Sequence, residues 1–249
     1  MTCQLRAYLR QRANLIRSAS RHVLHMQKAL EQMNLKLTEV LSGITGLTGR
    51  TILRAILRGT RAPEKSAKYR DKGCKASAAE IAQALTGTYR EEHLFELKLA
   101  YEAWQFTLGQ VTKVDTQIAL QLGRMKCDRA LPPWKPKARP KRRVNSPGFD
   151  VRTALYYVVG LDLTEIEGIS DLTALTLISE LGPGVSQFAT VKKFCSWLGL
   201  CPNWKKTGGR VKSSRTRRGV NRAAQALRLA TSNCSTRARR PMCRTPSAT

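Results

Sequence analysis

"LRQRANLIRSASRHVLHMQKALEQMNLKL", residues 9–37, places an apolar residue at every seventh position: Leu9, Ile16, Val23, Leu30 and Leu37. A companion seam at Arg12, Ala19, Met26, Met33 and Val40 is apolar everywhere except its first position. A period of about 3.5 residues held through the first forty positions describes one long helix in a coiled coil rather than an ordinary surface helix. A second seam follows at Leu94, Leu97, Tyr101, Trp104, Leu108, Val111, Asp115, Ile118, Leu122 and Met125, and only Asp115 interrupts it. One polar seam position can fix register or oligomer state at some cost in stability, and Asp115 is read as such a device rather than as a catalytic carboxylate. The pattern leaves open whether the two helices pair within one chain or between chains, with a homo-oligomer through the coiled coil as the expectation.

Between the seams lies "ITGLTGRTILRAILRG", residues 44–59, and much later "IEGISDLTALTLISELG", residues 166–182. Both read Ile-x-Gly-(Leu/Ile)-(Thr/Ser) and then an apolar run ending in glycine. Such a repeat fits a helix-hairpin-helix-like turn, whose glycine lets backbone amides face a phosphate at a helix N-terminus. It fits equally an ordinary helix-turn-helix packing unit. Arg50, Arg54 and Arg58 flank the first copy, so Arg50 and Arg54 are candidate nucleic-acid contacts. The second carries Glu165, Glu167 and Asp171, better placed as helix-end charges.

Residues 128–147, "DRALPPWKPKARPKRRVNSP", hold five prolines and seven basic residues. Proline removes helix donors and stiffens the chain, so residues 127–149 read as a linker, either a solvated tether or a strap along a polyanion. It separates a helical region, 1–126, from a C-terminal domain, 150–231. In that domain "VRTALYYVVGL" is apolar enough to be buried. Thr190 caps a helix with an apolar face of Val191, Phe194, Trp197 and Leu198, and "NRAAQALRLA" supplies a closing helix. Residues 232–249 have no periodicity and are expected to be disordered. The fold class is mainly α: long coiled-coil helices, then a small helical C-terminal domain with a helix-hairpin-helix-like turn.

With 44 lysines and arginines against 17 acidic residues, the 249-residue chain carries a formal charge of +27. A field of that size gathers polyanions and releases counterions from phosphates, so nucleic acid is the implied partner. The basic residues concentrate in turns and the linker, away from any amphipathic membrane-binding helix, and no apolar run approaches the roughly 20 residues of a spanning helix. A cytoplasmic location without membrane association is expected. Seven scattered cysteines, with no Cys-x-x-Cys and no clustered histidines, read as reduced, mostly buried thiols rather than as a zinc site or disulfide framework.

The charge peaks in "CPNWKKTGGRVKSSRTRRGVNRAAQALRLA", residues 201–230, and no carboxylate occurs after Glu180. Hard divalent cations need oxygen ligands of that kind, so a self-contained two-metal nuclease site is excluded from residues 181–249. Hydroxyl and arginine chemistry is left. Thr207, before Gly208 and Gly209, sits where a backbone could approach a phosphate closely. Arg210, Lys212, Arg215, Arg217, Arg218 and Arg222 surround it in sequence. A Thr or Ser oxygen can attack a phosphodiester when arginines and amides stabilise the transferring phosphate, but basic glycine-containing turns more often only bind one.

Several landmarks stand in order: Ile-x-Gly-Ile at residues 166–169, Glu-Leu-Gly at 180–182, Trp-Leu-Gly-Leu-Cys-Pro at 197–202, the Gly-Gly turn, and Asn-Arg-Ala-Ala-x-Ala-Leu-Arg at 221–228. Together they resemble the C-terminal domain of the IS-one-ten family of insertion-sequence transposases, the bridge-RNA-guided recombinases, and residues 9–37 resemble that family's coiled coil. The resemblance implies a DNA recombinase that cuts and rejoins strands through a covalent protein–DNA intermediate, with DNA and a guide RNA as partners. It also implies an RNase-H-like domain whose four acidic residues hold a divalent metal. That domain would precede the coiled coil, so no cofactor is expected within this chain, which reads as shortened and inactive alone. The family places a nucleophilic serine immediately before Gly-Gly, where this chain has Thr207. Ser213 and Ser214 are the alternative hydroxyls. A non-catalytic nucleic-acid-binding module regulating the full-length enzyme is the competing reading.

Overall fold

The computed structural model describes residues 2–126, 131, 145–202, 204–216 and 221–238, with side chains as far as Ser232. The chain is mainly helical and divides into two compact units, one of residues 12–113 and one of residues 1–11 with 114–249.

The first unit takes most of α1 (Thr2–Gln32), the short α2 (Leu37–Val40), α3 (Leu47–Leu57), α4 (Pro63–Ala67) and α5 (Ala78–Ala84), and the first part of α6 (Glu91–Arg124). The heptad periodicity outlasts the helix it describes: α1 ends at Gln32, so Met33, Leu37 and Val40 of the expected seams lie beyond it. Asn34 is the cause. Its φ of 56° is left-handed, and its N–H donates to the Glu31 carbonyl while Leu35 N–H donates to Leu30 O, each at 2.8 Å. These two bonds form a Schellman stop, closed by contact between the fully buried Leu30 and Leu35.

The pairing that the seams left open is within the chain. In this unit α1 packs on α6, with Ala19, Met26, Ala29 and Leu30 in one buried cluster with Leu97, Ala100, Tyr101 and Trp104. Ile44, Ile52, Leu53, Ile56, Ile81 and Leu85 of the smaller elements complete it. Each fully buried side chain of this size contributes about 1.5–3 kcal/mol of transfer free energy.

The two copies of the Ile-x-Gly repeat adopt different turns. Gly46 caps α3 at φ −67°, whereas the corresponding Gly168 sits at φ +83° before a turn and a separate cap, Ser170. A different glycine is constrained in the first copy: a Cβ on Gly49 would stand 2.3 Å from the Ile44 carbonyl oxygen, so α3 closes directly on the chain that precedes it.

The second unit contains α7 (Val151–Val159), α8 (Asp171–Leu181), α9 (Val191–Trp197), strands β1 (Lys205–Thr207) and β2 (Arg210–Ser213), and α10 (Arg222–Ala238). Its core reaches outside the expected 150–231 boundary. Leu5, Ile118 and Leu122 are buried with Val151, Leu155, Val158, Ala174, Leu175 and Ile178, because α7 and α8 alone cannot cover their apolar faces. Asp115, the polar position of the second seam, is buried and accepts a 2.9 Å hydrogen bond from the Gly148 N–H, fixing the chain just before α7. A smaller, alanine-rich cluster of Leu177, Leu198, Ala223 and Ala224 seats α10. α10 runs to Ala238, seven residues into the segment expected to be disordered, since neither proline nor glycine interrupts it before Pro241. The basic linker, apart from Leu131 and residues 145–149, and residues 239–249 lie outside the described residues. Among the described residues no helix is long and apolar enough to cross a membrane.

Candidate nucleic-acid interface

The Thr-Gly-Gly segment is a β-hairpin, which departs from an all-helical reading of the C-terminal domain. β1 and β2 pair antiparallel with Thr207 opposite Arg210 and Lys206 opposite Val211, leaving Gly208 and Gly209 as a two-residue turn. Their φ values of 56° and 76° are both left-handed, the requirement of a type I′ turn, whose twist matches that of the strands it joins. Lys205 pairs with Ser213 across a register shift, and an isolated bridge from Pro202 to Thr216 closes the base. "KKTGGRVKS" carried this signal, because a Gly-Gly pair between short polar and β-branched runs is a hairpin pattern.

Lys205, Lys206, Thr207, Gly208, Gly209, Arg210, Lys212 and Arg215 are all exposed. Four cations stand on the two strands with no carboxylate after Glu180 in the chain to offset them. A two-stranded ribbon is marginal by itself, and like charges on it repel. Phosphates along its surface would relieve that repulsion.

The candidate hydroxyls sit in different settings. Thr207 is exposed at the end of β1, with Arg210 directly across from it. Its hydroxyl makes no hydrogen bond among the described residues. The Ser213 hydroxyl is engaged, accepting from the Arg215 N–H at 3.3 Å, and Ser214 is exposed just beyond β2. Arg217 and Arg218 lie outside the described residues.

The remaining candidates are elsewhere. Arg222 opens α10 and faces an open cleft rather than pairing with the hairpin strands. Arg50 and Arg54 belong to the unit of residues 12–113. Arg54 donates from Nε to the hydroxyl of the buried Tyr101 at 2.8 Å, which gives it a packing role. Arg50 is half-buried on α3, and its Nε has no hydrogen-bond partner.

The cleft at Arg222 has an estimated volume of about 580 Å³ and is lined by Arg6, Arg10, Glu180, Trp197, Asn221 and Arg222. Arg6 and Arg10, one turn apart on α1, escaped the reading of residues 9–37 because one precedes the repeat and the other lies off its seams. Arg6 caps the end of α8, donating to the carbonyls of Ser179 and Glu180 at 3.2 and 3.0 Å, and pairs with the Glu180 carboxylate at 3.1 Å. Arg10 meets the other carboxylate oxygen at 3.3 Å.

Upstream, Asp162 joins α7 to the turn before α8. Burial raises its carboxyl pKa, but hydrogen bonds from the Arg152 guanidinium and from the Thr164 hydroxyl and N–H outweigh that and hold it below the ordinary value. The described cysteines Cys3, Cys74, Cys195 and Cys201 are free thiols, but not buried as expected: Cys3 is exposed and the other three are half-buried. Among the described residues no group of three or more His, Cys, Asp or Glu side chains is placed to hold a metal ion.

Comparison with known proteins bears on the same segment. No curated protein and no solved structure matches the chain. A family model does, over about one third of its length, and the match begins at Asp162 and takes in α8, α9, the hairpin and α10. Residues 162–246 match the model of the family described as Transposase IS116/IS110/IS902 family, whose middle name is that of the IS-one-ten proteins.

Proposed function

We propose that this chain is a DNA-binding protein of transposase type whose β1–β2 hairpin contacts the phosphate backbone. Thr207 occupies the place of the attacking hydroxyl in the strand-transfer reaction. The observation that carries the reading is the hairpin itself: two left-handed glycines present Thr207 and Arg210 side by side on an exposed, uncompensated basic ribbon within the transposase-family segment. Attack by the Thr207 oxygen on a phosphodiester would form a threonyl–phosphate bond and break the bond to the 3′ or 5′ oxygen, a base taking the Thr207 proton and an acid protonating the leaving oxygen, neither of which this hairpin supplies. Arg210 would offset charge on the transferring phosphate. The acidic metal-binding groups that the family resemblance implies would come from a separate domain.

The test is a supercoiled plasmid incubated with the purified chain and then denatured. A covalent protein–DNA adduct, lost in Thr207→Ala and kept in Ser213→Ala and Ser214→Ala, supports the nucleophile assignment. An adduct surviving Thr207→Ala overturns it.

The openness of the hairpin favours a second reading, binding without cutting. A solvated hydroxyl with no hydrogen-bonded base is poorly activated. In this reading the chain regulates or competes with a full-length transposase. Duplex binding would then be salt-sensitive and unchanged in Thr207→Ala. Lys206→Gln with Arg210→Gln would lower the slope of log affinity against log salt by about 0.9 per lost phosphate contact.

A further inference from the structure

The cleft framed by α1, α8, α9 and α10 sets an aromatic ring beside arginines. Trp197, at the end of α9, is 47% exposed. It is braced by the half-buried Phe188, whose ring lies 5.4 Å away, and Phe188 in turn packs on Phe194 at 5.0 Å. The Trp197 carbonyl accepts a 3.5 Å hydrogen bond from the Asn221 side-chain amide, which ties α9 to the start of α10. The indole is therefore a supported ring with a face toward solvent.

Three guanidiniums and one carboxylate line the same cleft, which leaves two positive charges unbalanced. The three are not equivalent. Arg6 is committed to the end of α8 through two carbonyls and Glu180. Arg10, with 49% of its side chain exposed, is steadied by Glu180 through one nitrogen. Arg222 has no hydrogen bond or ion pair among the described residues. Arg10 and Arg222 thus keep donors for a ligand, in the forked geometry that suits phosphate. The first amides of α10 add no donors, because Asn221 Oδ1 already accepts from the Ala223 and Ala224 N–H groups at 3.0 and 3.3 Å.

The geometry points to a binding site for an unpaired nucleotide of single-stranded DNA, with its base on Trp197 and its phosphate between Arg10 and Arg222. Arginine alone would take any phosphate. The exposed indole face selects a strand whose base is free to stack, which a duplex withholds. The cleft volume lies within the roughly 300–1,000 Å³ of small-ligand sites, enough for one nucleotide. This inference rests on the reading of the chain as a DNA-binding protein but on none of the hairpin residues.

The experiment measures anisotropy of a fluorescein-labelled oligothymidylate and of a labelled duplex with the full chain and its variants, with circular dichroism as a check on folding. Arg10→Gln with Arg222→Gln lowers single-strand affinity about tenfold or more and duplex affinity less than threefold. Trp197→Ala lowers single-strand affinity by a similar factor, and Trp197→Phe restores most of it because a phenyl ring still stacks. Lys206→Gln with Arg210→Gln gives the reverse pattern, weakening the duplex and sparing the single strand. Unchanged single-strand affinity in the folded Arg10/Arg222 variant overturns the site, as does a Trp197→Phe variant no better than Trp197→Ala. If the chain binds the single strand through the cleft and the hairpin variant leaves duplex binding intact, the hairpin reading falls and the cleft stands.

Discussion

At Asp162 burial and hydrogen bonding act in opposite directions on one carboxyl. Desolvation favours its neutral form, while Arg152 and Thr164 favour the charged form and win, so its pKa in the folded chain is lowered. A lowered folded value means that the contribution to stability is present above the unfolded pKa of about 3.9 and is lost as pH falls through the folded value. Denaturation followed between pH 7 and pH 2 should therefore show a loss of stability below about pH 4, and Asp162→Asn should flatten that part of the profile. At pH 7 the same substitution should cost about 1.5–3 kcal/mol, the range for hydrogen bonds to a charged group, read from the denaturation midpoint. A wild-type profile already flat below pH 4 would show that the pair stabilises nothing.

Among the elements, the hairpin joins function most directly to backbone geometry. Gly209 at φ +76° has open space where a Cβ would be built, so substitution is resisted by the backbone rather than by neighbours. A side chain held left-handed costs about 1–2 kcal/mol. Gly209→Val, which leaves every charge in place, should then weaken duplex binding by about 5- to 30-fold if the hairpin must be ordered to bind. Unchanged affinity in a mobility-shift titration would show that charge alone suffices. The turn was legible in the sequence because glycine announces positive φ, and α6 was legible because its seam keeps one period from Leu94 to Leu122. The end of α1 was not: heptad spacing continues to Leu37, while the stop depends on the left-handed backbone of Asn34 and on contact between Leu30 and Leu35. The strands around the turn were passed over because a three-residue strand leaves too little alternation to register. The cleft was illegible for another reason. Arg6 and Arg10 stand 174 and 170 positions before Glu180, and no local pattern reports a meeting of residues so distant.

For the whole molecule, the seams of α1 and α6 serve two cores in turn, one in each unit, so periodicity reported the helices and not the division between units. Leu5 tests the division. It is fully buried with residues of α7 and α8, and Leu5→Ala should cost about 2–5 kcal/mol there. Limited proteolysis of that variant should cut within residues 150–238 while residues 12–113 stay protected. Simultaneous loss of both would show a single cooperative body.

The tie between Arg6 and the end of α8 has a consequence for synthesis. Arg6 and Leu5 are synthesised well before their partners, Ile178, Ser179 and Glu180, which follow more than 170 positions later. The unit of residues 12–113 can close on its own contacts while the chain is still growing. The first turns of α1 must meanwhile wait in solvent for a late partner, so the unit they share with α8 is completed only after residues 12–113 have had time to close.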